Sequence, residues 1–443
     1  MSKIRVRSYL DGNAPQFTGQ DHLAFVKFLQ SQFVTESYNQ QFFINSSVNL
    51  QDKRIELHFN PVTPHGFVKG NLLRIEGDVQ PVFKGQYYRV VETTNTSITL
   101  KITNTDIVYP TSITGSSMFV EHAPLDWEVV YNSEHQISLR SKSEKSSKNV
   151  WTAKRIDSVY FQVDGTRASL ADLYISKDVD KESGTIISDY LSEYRKGNAG
   201  YNESTNNRLS TCFLRFKSGA NYFTQSVNSD NVPWFILADD KFIYLYLGSY
   251  QSSNVPSRSS ISRSLYVFGD PDFLGDPDVI DTTGSIFSCF YTPSSYMTTI
   301  NSALNTPQLS GHLNSNRTSN LTGDYLFLGS YDSSNTNITP VSFSSIYTST
   351  NSLGWSPFSF PNLPTNGLLF FPIYCCYAST GSNNSGGYFR SKLPFVLTSS
   401  IDISNLTKSD ATLLDYVSFT TEEGKMLMPI LSSSSTGMFF ELD

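Results

Sequence analysis

The stretch that decides the fold runs from Trp234 to Asp270 and opens with the apolar run Trp234-Phe235-Ile236-Leu237-Ala238. Asp239-Asp240-Lys241 interrupts it, and Phe242-Ile243-Tyr244-Leu245-Tyr246-Leu247 follows at once. Aromatic and β-branched runs bounded by turn residues are typical of strands, so this pattern predicts a hairpin. Ser264-Leu265-Tyr266-Val267-Phe268-Gly269-Asp270 predicts a further strand. Because the hairpin runs are almost continuously apolar, we expect both faces of this sheet to be covered.

The composition favours a mainly β protein that assembles with other chains. Only 16% of the residues are charged and 14% are aromatic, whereas about 25% charged is usual in soluble proteins. Aromatic side chains, tyrosine in particular, suit partly wet interfaces, so we expect a homo-oligomer. The net charge of −7 argues against a nucleic-acid partner, because binding phosphates requires a basic surface.

Targeting signals and cysteine spacing give only negative indications. The first residues contain no apolar segment of signal-peptide length, and no run approaches the ~20 apolar residues of a membrane helix. We therefore expect no membrane insertion and synthesis in a cytosol. The four cysteines, Cys212, Cys289, Cys375 and Cys376, have neither CxxC pairing nor zinc-ligand spacing, so we expect buried free thiols and no metal site.

Residues 1–120 are predicted to be a small N-terminal β domain with one helix. Ile4-Arg5-Val6-Arg7 could be a short strand, and Asp21–Gln32 is predicted as a helix capped by Asp21. The apolar stripe of this helix is expected to pack on the sheet that follows it. Alternating polar and apolar residues then predict strands across residues 46–120.

The rest of the chain is predicted as a linker region followed by a larger body. Residues 121–150 contain two short strand patterns and the polar segment Ser141–Lys148, which we expect to be a flexible loop near a domain boundary. Residues 151–443 are predicted to form a β-sandwich or barrel-like body with long loops. A division into two subdomains is expected near residues 291–325.

Candidate chemistry is confined to two acidic segments. Neighbouring residues on a strand point apart, so Asp239-Asp240 is interpreted as capping a turn and not as a catalytic pair. In the segment 269–278 four carboxylates could supply oxygen ligands for calcium, namely Asp270, Asp272, Asp276 and Asp278. This segment lacks the ligand order of a calcium loop, and its two prolines favour a stiff turn.

Other catalytic motifs are not found. There is no nucleophile elbow and no phosphate loop, and the six histidines have no metal or triad spacing. We therefore expect a protein without enzymatic activity, catalytic residues or cofactor. A carboxylate pair suited to glycoside hydrolysis could still arise among the 40 acidic residues.

Four pieces of sequence together resemble a family of tailed-bacteriophage virion structural proteins. They are Tyr160-Phe161-Gln162-Val163-Asp164-Gly165-Thr166 with Asp178-Val179-Asp180 downstream, Pro233–Tyr244, Tyr266-Val267-Phe268-Gly269-Asp270, and Arg390-Ser391-Lys392-Leu393-Pro394 followed by Glu423-Gly424-Lys425-Met426. The resemblance covers residues 150–443. The chain departs from it in long Ser- and Asn-rich insertions and in Ser391, where glycine is expected.

The resemblance implies a non-enzymatic component of the tail, neck or baseplate that binds other virion proteins. Its location would be the virion, with synthesis and assembly in the host cytoplasm. The N-terminal unit would be the docking domain. The alternatives are a tail module that binds a host receptor or surface glycan through exposed Tyr and Trp, a capsid decoration protein, and a depolymerase or lysozyme-like enzyme.

Overall fold

The computed structural model describes a part of the chain that is rich in strands. The described residues are 4–12, 14–15, 24–34, 41–50, 53–61, 65–102, 110, 112–155, 169–187, 211–214, 234–248, 263–273, 286–292, 308–309, 324–327, 329–331, 338–340, 371–378, 388–399, 419–420, 426–432 and 437–442. Within them, one helix accompanies 27 strands, which confirms the mainly β fold class.

The first elements in chain order are β1 (Arg5–Ser8), α1 (Ala24–Phe33), β2 (Phe42–Phe43), β3 (Ser46–Leu50), β4 (Arg54–His58), β5 (Leu72–Asp78), β6 (Tyr87–Thr93), β7 (Ser97–Lys101), β8 (Ser117–His122), β9 (Trp127–Ser133), β10 (Gln136–Ser141), β11 (Val150–Arg155), β12 (Ser169–Ser176) and β13 (Thr211–Leu214). The remaining elements are β14 (Trp234–Ala238), β15 (Phe242–Gly248), β16 (Arg263–Gly269), β17 (Asp272–Phe273), β18 (Ile286–Thr292), β19 (Gln308–Leu309), β20 (Asp324–Phe327), β21 (Gly329–Tyr331), β22 (Ile338–Pro340), β23 (Phe371–Ala378), β24 (Tyr388–Ser399), β25 (Phe419–Thr420), β26 (Met426–Ser432) and β27 (Gly437–Glu441).

These strands form four larger antiparallel sheets and one two-stranded hairpin, β21–β22. The central sheet has the order β1-β14-β15-β16-β18-β19, and the lateral sheet has the order β13-β12-β11-β10-β9. The C-terminal sheet has the order β20-β23-β24-β27-β26-β25, with β17 paired to β24. The fourth sheet, β2-β8-β5-β6-β7-β4-β3, belongs to residues 42–122. None of the described sheets is a closed barrel.

The central sheet is covered on both faces, as its apolar sequence predicts. On one face, Trp234 and Ile236 share a buried core with residues of the lateral sheet, among them Trp127 and Trp151. On the other face, the Phe440 ring of β27 lies 4.8 Å from the ring of Tyr244. Side chains alternate between the two faces of a strand. When both faces are covered, every position of the strand is buried and favours an apolar residue.

The first strand and the helix pack differently from the prediction. Strand β1 pairs with β14 at the edge of the central sheet, and Val26, Phe28 and Leu29 of α1 lie in the same core as Trp234. The expectation that the helix packs on the sheet following it in sequence is therefore wrong. The helix begins at Ala24 among the described residues, and its expected cap, Asp21, lies outside them.

Residues 42–122, hereafter the inserted domain, have a hydrophobic core of their own. This core is built from the inner faces of the fourth sheet and includes Leu57, Ile75, Val90 and Leu100. The chain enters the domain after α1 and returns from it to β9, so the domain interrupts a body that begins with β1. The predicted unit 1–120 thus combines this domain with two elements that pack in the body.

The region predicted as a linker, residues 121–150, contributes to the central core. Strands β9 and β10 supply Trp127, Ile137 and Leu139 to it. The polar segment Ser141–Lys148, expected to be a flexible loop, is fixed by hydrogen bonds to the turn residues of the central sheet described below. The polar residues of segment Ser141–Lys148 are therefore explained in part by these hydrogen bonds and not only by exposure to solvent. Within the described residues, no helix is long and apolar enough to cross a membrane.

Candidate functional site

The acidic segments singled out in the sequence meet at one end of the central sheet, hereafter the hairpin tip (residues 239–241 and 269–272). The Asp239 carboxylate accepts hydrogen bonds from the backbone N–H groups of Lys241 (2.7 Å) and Phe242 (2.6 Å). Its own backbone N–H donates to the Phe242 carbonyl at 3.0 Å. Asp239 therefore caps the β14–β15 turn, as predicted from the sequence.

The second acidic segment is joined to the loop that precedes β11. The Asp270 carboxylate accepts hydrogen bonds from the backbone N–H (2.7 Å) and the hydroxyl (2.9 Å) of Ser147. The hydroxyl of Ser141 donates to the carbonyl of Asp240, and the indole N–H of Trp127 donates to the carbonyl of Asp239 at 2.9 Å. Three segments distant in sequence are thus fixed to one another at the tip.

Lys241 is the one basic residue among the four aspartates of the tip. Burial raises the pKa of Asp239 to about 6, although the hydrogen bonds from Lys241 and Phe242 act in the opposite direction. Burial alone would lower the pKa of Lys241, but the carboxylates of Asp272, Asp239 and Asp240 raise it above its ordinary value. The Lys241 ammonium lies 3.2 Å from a carboxylate oxygen of Asp272. Within the tip, Lys241 is thus paired with Asp272, while Asp239 and Asp270 are held by hydrogen-bond donors.

The backbone at Gly269 fits closely against the hairpin turn. Its φ of +131° lies in a region that side-chain-bearing residues rarely adopt. A Cβ atom at this position would collide with the carbonyl oxygen of Lys241 and lie 2.7 Å from the Cα of Phe242. Glycine is required here because the backbone of Asp270 must approach closely enough to donate to the Lys241 carbonyl, at 3.0 Å.

The structure describes two of the four predicted calcium ligands. Asp270 accepts two hydrogen bonds from Ser147, and Asp272 is paired with Lys241. Asp276 and Asp278 lie outside the described residues, so the calcium site stays a prediction. Across the described part of the chain, no group of three or more His, Cys, Asp or Glu side chains is arranged to hold a metal ion.

A second polar cluster lies where the inserted domain meets the body. It is hereafter called the junction and contains Arg5, Arg7, Asp11, Asn71 and Arg89. No sequence pattern pointed to it. Three buried arginines bind backbone carbonyl groups there. Arg5 donates to the carbonyl of Pro124 at 2.9 Å and pairs with Asp126. Arg7 donates to the carbonyls of Gln32 (2.9 Å) and Ala123 (3.2 Å). Arg89 donates to the carbonyls of Gly70 (2.9 Å) and Leu442.

Asp11 is the buried acid of the junction. Its two carboxylate oxygens accept hydrogen bonds from the backbone N–H of Ser8 (2.8 Å) and the amide of Asn71 (3.2 Å). The same Asn71 amide donates to the carbonyl of Val6 at 3.0 Å. Gly12 and Gly66 touch alongside, with the Gly12 N–H donating to the Gly66 carbonyl at 2.9 Å. A turn-rich sequence after a short strand gives no signal of such burial.

The tryptophans bear on the glycan-binding alternative. Trp127, Trp151 and Trp234 are all buried in the central core, and Trp355 lies outside the described residues. A sugar ring needs an exposed aromatic face to stack on. These three tryptophans do not offer one, because their rings are buried in the core.

Comparison with known proteins identifies no relative, since neither a family model nor a curated protein matches the chain.

Proposed function

We propose that the chain is a non-enzymatic structural component of a tailed-phage virion, which assembles through protein–protein contacts in the tail, neck or baseplate. The observation that carries this proposal is the meeting of the sequence pieces behind the resemblance. Pieces that lie more than 100 residues apart in the chain contact one another around the central sheet.

The contacts join three of the four pieces directly. Phe242 of the second piece pairs with Gly269 of the third in the central sheet. The hydroxyl of Tyr244 in the second piece donates to the carbonyl of Pro394 in the fourth at 2.6 Å. Next to the third piece, β17 pairs with Lys392 and Ser391 of the fourth. The residues quoted for the resemblance therefore lie together around the central sheet, which favours a common structural role for them.

Of the first piece, the structure describes only the downstream residues Asp178-Val179-Asp180. Tyr160–Thr166 lies outside the described residues, whereas Asp178-Val179-Asp180 forms a small turn beside the lateral sheet. Asp178 pairs with Arg140 at 2.7 Å, and the Asp180 carboxylate accepts hydrogen bonds from the N–H (2.7 Å) and hydroxyl (2.8 Å) of Ser183. These acidic residues, like Asp239, have structural partners, which favours a role in shape over a role in chemistry.

The direct test locates the chain in particles. Purified virions from infected cells would be analysed by mass spectrometry and by cryo-electron microscopy. We expect stoichiometric amounts of the chain, and density at the tail, neck or baseplate that fits the central sheet between its two covering sheets. Expression of the chain during infection without its presence in purified particles would refute the proposal. Turnover of host polysaccharide abolished by one Asp or Glu substitution would instead establish the enzymatic alternative.

The structure also redefines the fragment with which to test a docking role. Residues 42–122 contain their own core, whereas β1 and α1 pack in the body. A fragment of residues 41–122 is therefore the better docking unit to examine than residues 1–120. If the domain docks the protein, excess fragment should reduce incorporation of the full chain into particles assembled in vitro. A heat-denatured sample of the same fragment is the control.

A further inference from the structure

Strand β1 lies at the edge of the central sheet, yet it is buried. Among the described strands it pairs only with β14, and each of its four residues is 4% exposed or less. The edge of a sheet presents a row of backbone N–H and C=O groups that can pair with a strand of another chain. The way in which the outer edge of β1 is closed therefore decides whether copies of the protein can join there.

The ladder between β1 and β14 shows which backbone groups face outward. The N–H of Tyr9, the residue after β1, donates to the carbonyl of Trp234 at 3.0 Å. In an antiparallel pair, alternate residues direct both backbone groups to the same neighbouring strand. Residues 7 and 9 therefore face β14, whereas the backbone groups of Val6 and Ser8 point to the outer edge.

Side chains and a tight turn occupy these outward groups. The amide of Asn71 donates to the carbonyl of Val6 at 3.0 Å. The Asp11 carboxylate accepts from the N–H of Ser8 at 2.8 Å, and the Asp11 N–H donates to the carbonyl of Ser8 at 3.1 Å. Asn71 is anchored in the inserted domain, where its side-chain oxygen accepts from the N–H of Val68 at 2.7 Å. Three of the four outward groups of residues 6 and 8 are thus bound without a neighbouring strand.

We propose that Asn71 and Asp11 close the edge of the central sheet against pairing with a strand of a second copy of this chain. The Asn71 amide also donates to a carboxylate oxygen of Asp11 at 3.2 Å, so the two side chains form one cover along the edge. A second copy is the partner that every molecule meets during synthesis. The cover directs association of copies to surfaces other than β1.

The sheet order shows what an open edge would produce. Strands β1 and β19 form the two edges of the central sheet among the described strands. Pairing of β1 of one copy with β19 of the next would be head-to-tail. Such contacts generate open-ended assemblies unless the rotation between copies closes a ring. Closing one of the two edges is sufficient to prevent this growth.

Hydrogen exchange of the full-length wild type tests whether the edge is closed, without any substitution. Residue-resolved rates would be compared for the N–H of Ser8, which faces outward, and that of Tyr9, which is bonded to β14. We expect the two protection factors to agree within about tenfold, because both N–H groups are bound to acceptors inside the folded protein. Exchange of the Ser8 N–H near its intrinsic rate would overturn the proposal.

The double variant Asn71→Ala/Asp11→Ala removes the cover. Sedimentation velocity of the full-length chain at several concentrations would compare it with the wild type. We expect additional, concentration-dependent association, and exchange of the Ser8 N–H about tenfold faster, as for the loss of one buried hydrogen bond. Arg89→Met is the matched control, because Arg89 lies in the same junction but binds the carbonyls of Gly70 and Leu442. It should leave association at the wild-type level.

Ser8→Pro, added to the double variant, separates strand pairing from general unfolding. Proline removes the outward N–H that a neighbouring strand would need, and it leaves the bond of Tyr9 to β14 in place. Its ring would lie where the Asp11 carboxylate lies in the wild type, 2.8 Å from the Ser8 nitrogen. We expect Ser8→Pro to suppress the additional association. Wild-type association in the double variant, equal association in Arg89→Met, or association that persists with Ser8→Pro would each overturn the proposal.

Discussion

Trp234→Ala is the substitution that tests the position of the central core most directly. The Trp234 side chain is fully buried in the first strand of the central hairpin. Its ring meets Phe28 of α1 edge-on, with centroids 4.9 Å apart, and its indole N–H donates to the carbonyl of Pro15 at 3.0 Å. One side chain therefore joins the central sheet, the helix and the segment after β1.

The expected loss of stability has two parts. Replacing a buried Trp by Ala costs about 3–5 kcal/mol through lost transfer energy and the cavity left behind. The Pro15 carbonyl also loses its indole donor, and an unsatisfied buried acceptor costs about 1–3 kcal/mol unless water replaces the donor. Trp234→Phe separates these parts, because it retains most of the ring volume and removes the donor. We expect the Phe variant to be destabilised by less than half as much as the Ala variant.

Guanidinium unfolding followed by far-ultraviolet circular dichroism gives the overall free energy of unfolding, and hydrogen exchange locates the effect. Peptides from β10 report the central core, and peptides from β7 report the separate core of the inserted domain. Trp234→Ala should lower protection strongly in β10 and much less in β7. Val34→Ala, at a position 41% exposed, is the surface control and should change stability by no more than about 0.5 kcal/mol. A loss below about 1 kcal/mol for Trp234→Ala would show that the core has been placed wrongly.

Three further substitutions test the hairpin tip and the junction. Gly269→Ala should destabilise the protein by about 1–3 kcal/mol or more in thermal unfolding, because strain adds to a backbone collision; Gly85→Ala, also at positive φ but with open space around it, should cost less. The raised pKa of Asp239 means that its ionisation opposes folding. Its contribution to stability should therefore fall by about 1.4 kcal/mol per pH unit as pH rises from roughly 4 to 6, and Asp239→Asn should remove that slope from pH-dependent denaturant unfolding. Arg89→Met should expose the C-terminal residues around Leu442 to carboxypeptidase digestion, whereas unchanged digestion would show that the guanidinium does not hold the chain end.

The sequence predicted the elements whose information is local. The central hairpin and the capping role of Asp239 follow from apolar runs and a turn triplet that are contiguous in the chain. The packing of α1 could not be found in this way, because residues 42–122 separate it in sequence from the β9–β12 strands it contacts. Neighbours in sequence were assumed to be neighbours in space, and an inserted domain breaks that assumption.

The polar contacts of β1 and of segment Ser141–Lys148 could not be predicted from the sequence for a related reason. Alternating arginines in β1 are typical of a solvent-exposed face, yet Arg5 and Arg7 are 4% and 3% exposed. Carbonyl groups carried by distant segments satisfy their guanidinium groups, and any residue type can supply a carbonyl. The segment Ser141–Lys148 was predicted to be flexible for the same reason, since the partners of its serines lie about 100 residues further along the chain.

The hairpin tip restricts the residue types that several of its positions can carry. Asp239 must accept two backbone N–H groups at the turn, Gly269 must leave room for that turn, and Asp270 must hold Ser147. Glycine is fixed at position 269 because a Cβ atom there would collide with the turn, and positions 239 and 270 require a short side chain with an acceptor oxygen. Surface loops face no such requirement, so they can change in length and composition without loss of the fold. Exchange of Gly269 for a residue with a side chain should therefore lower the free energy of unfolding, because the new Cβ atom would collide with the Lys241 carbonyl oxygen.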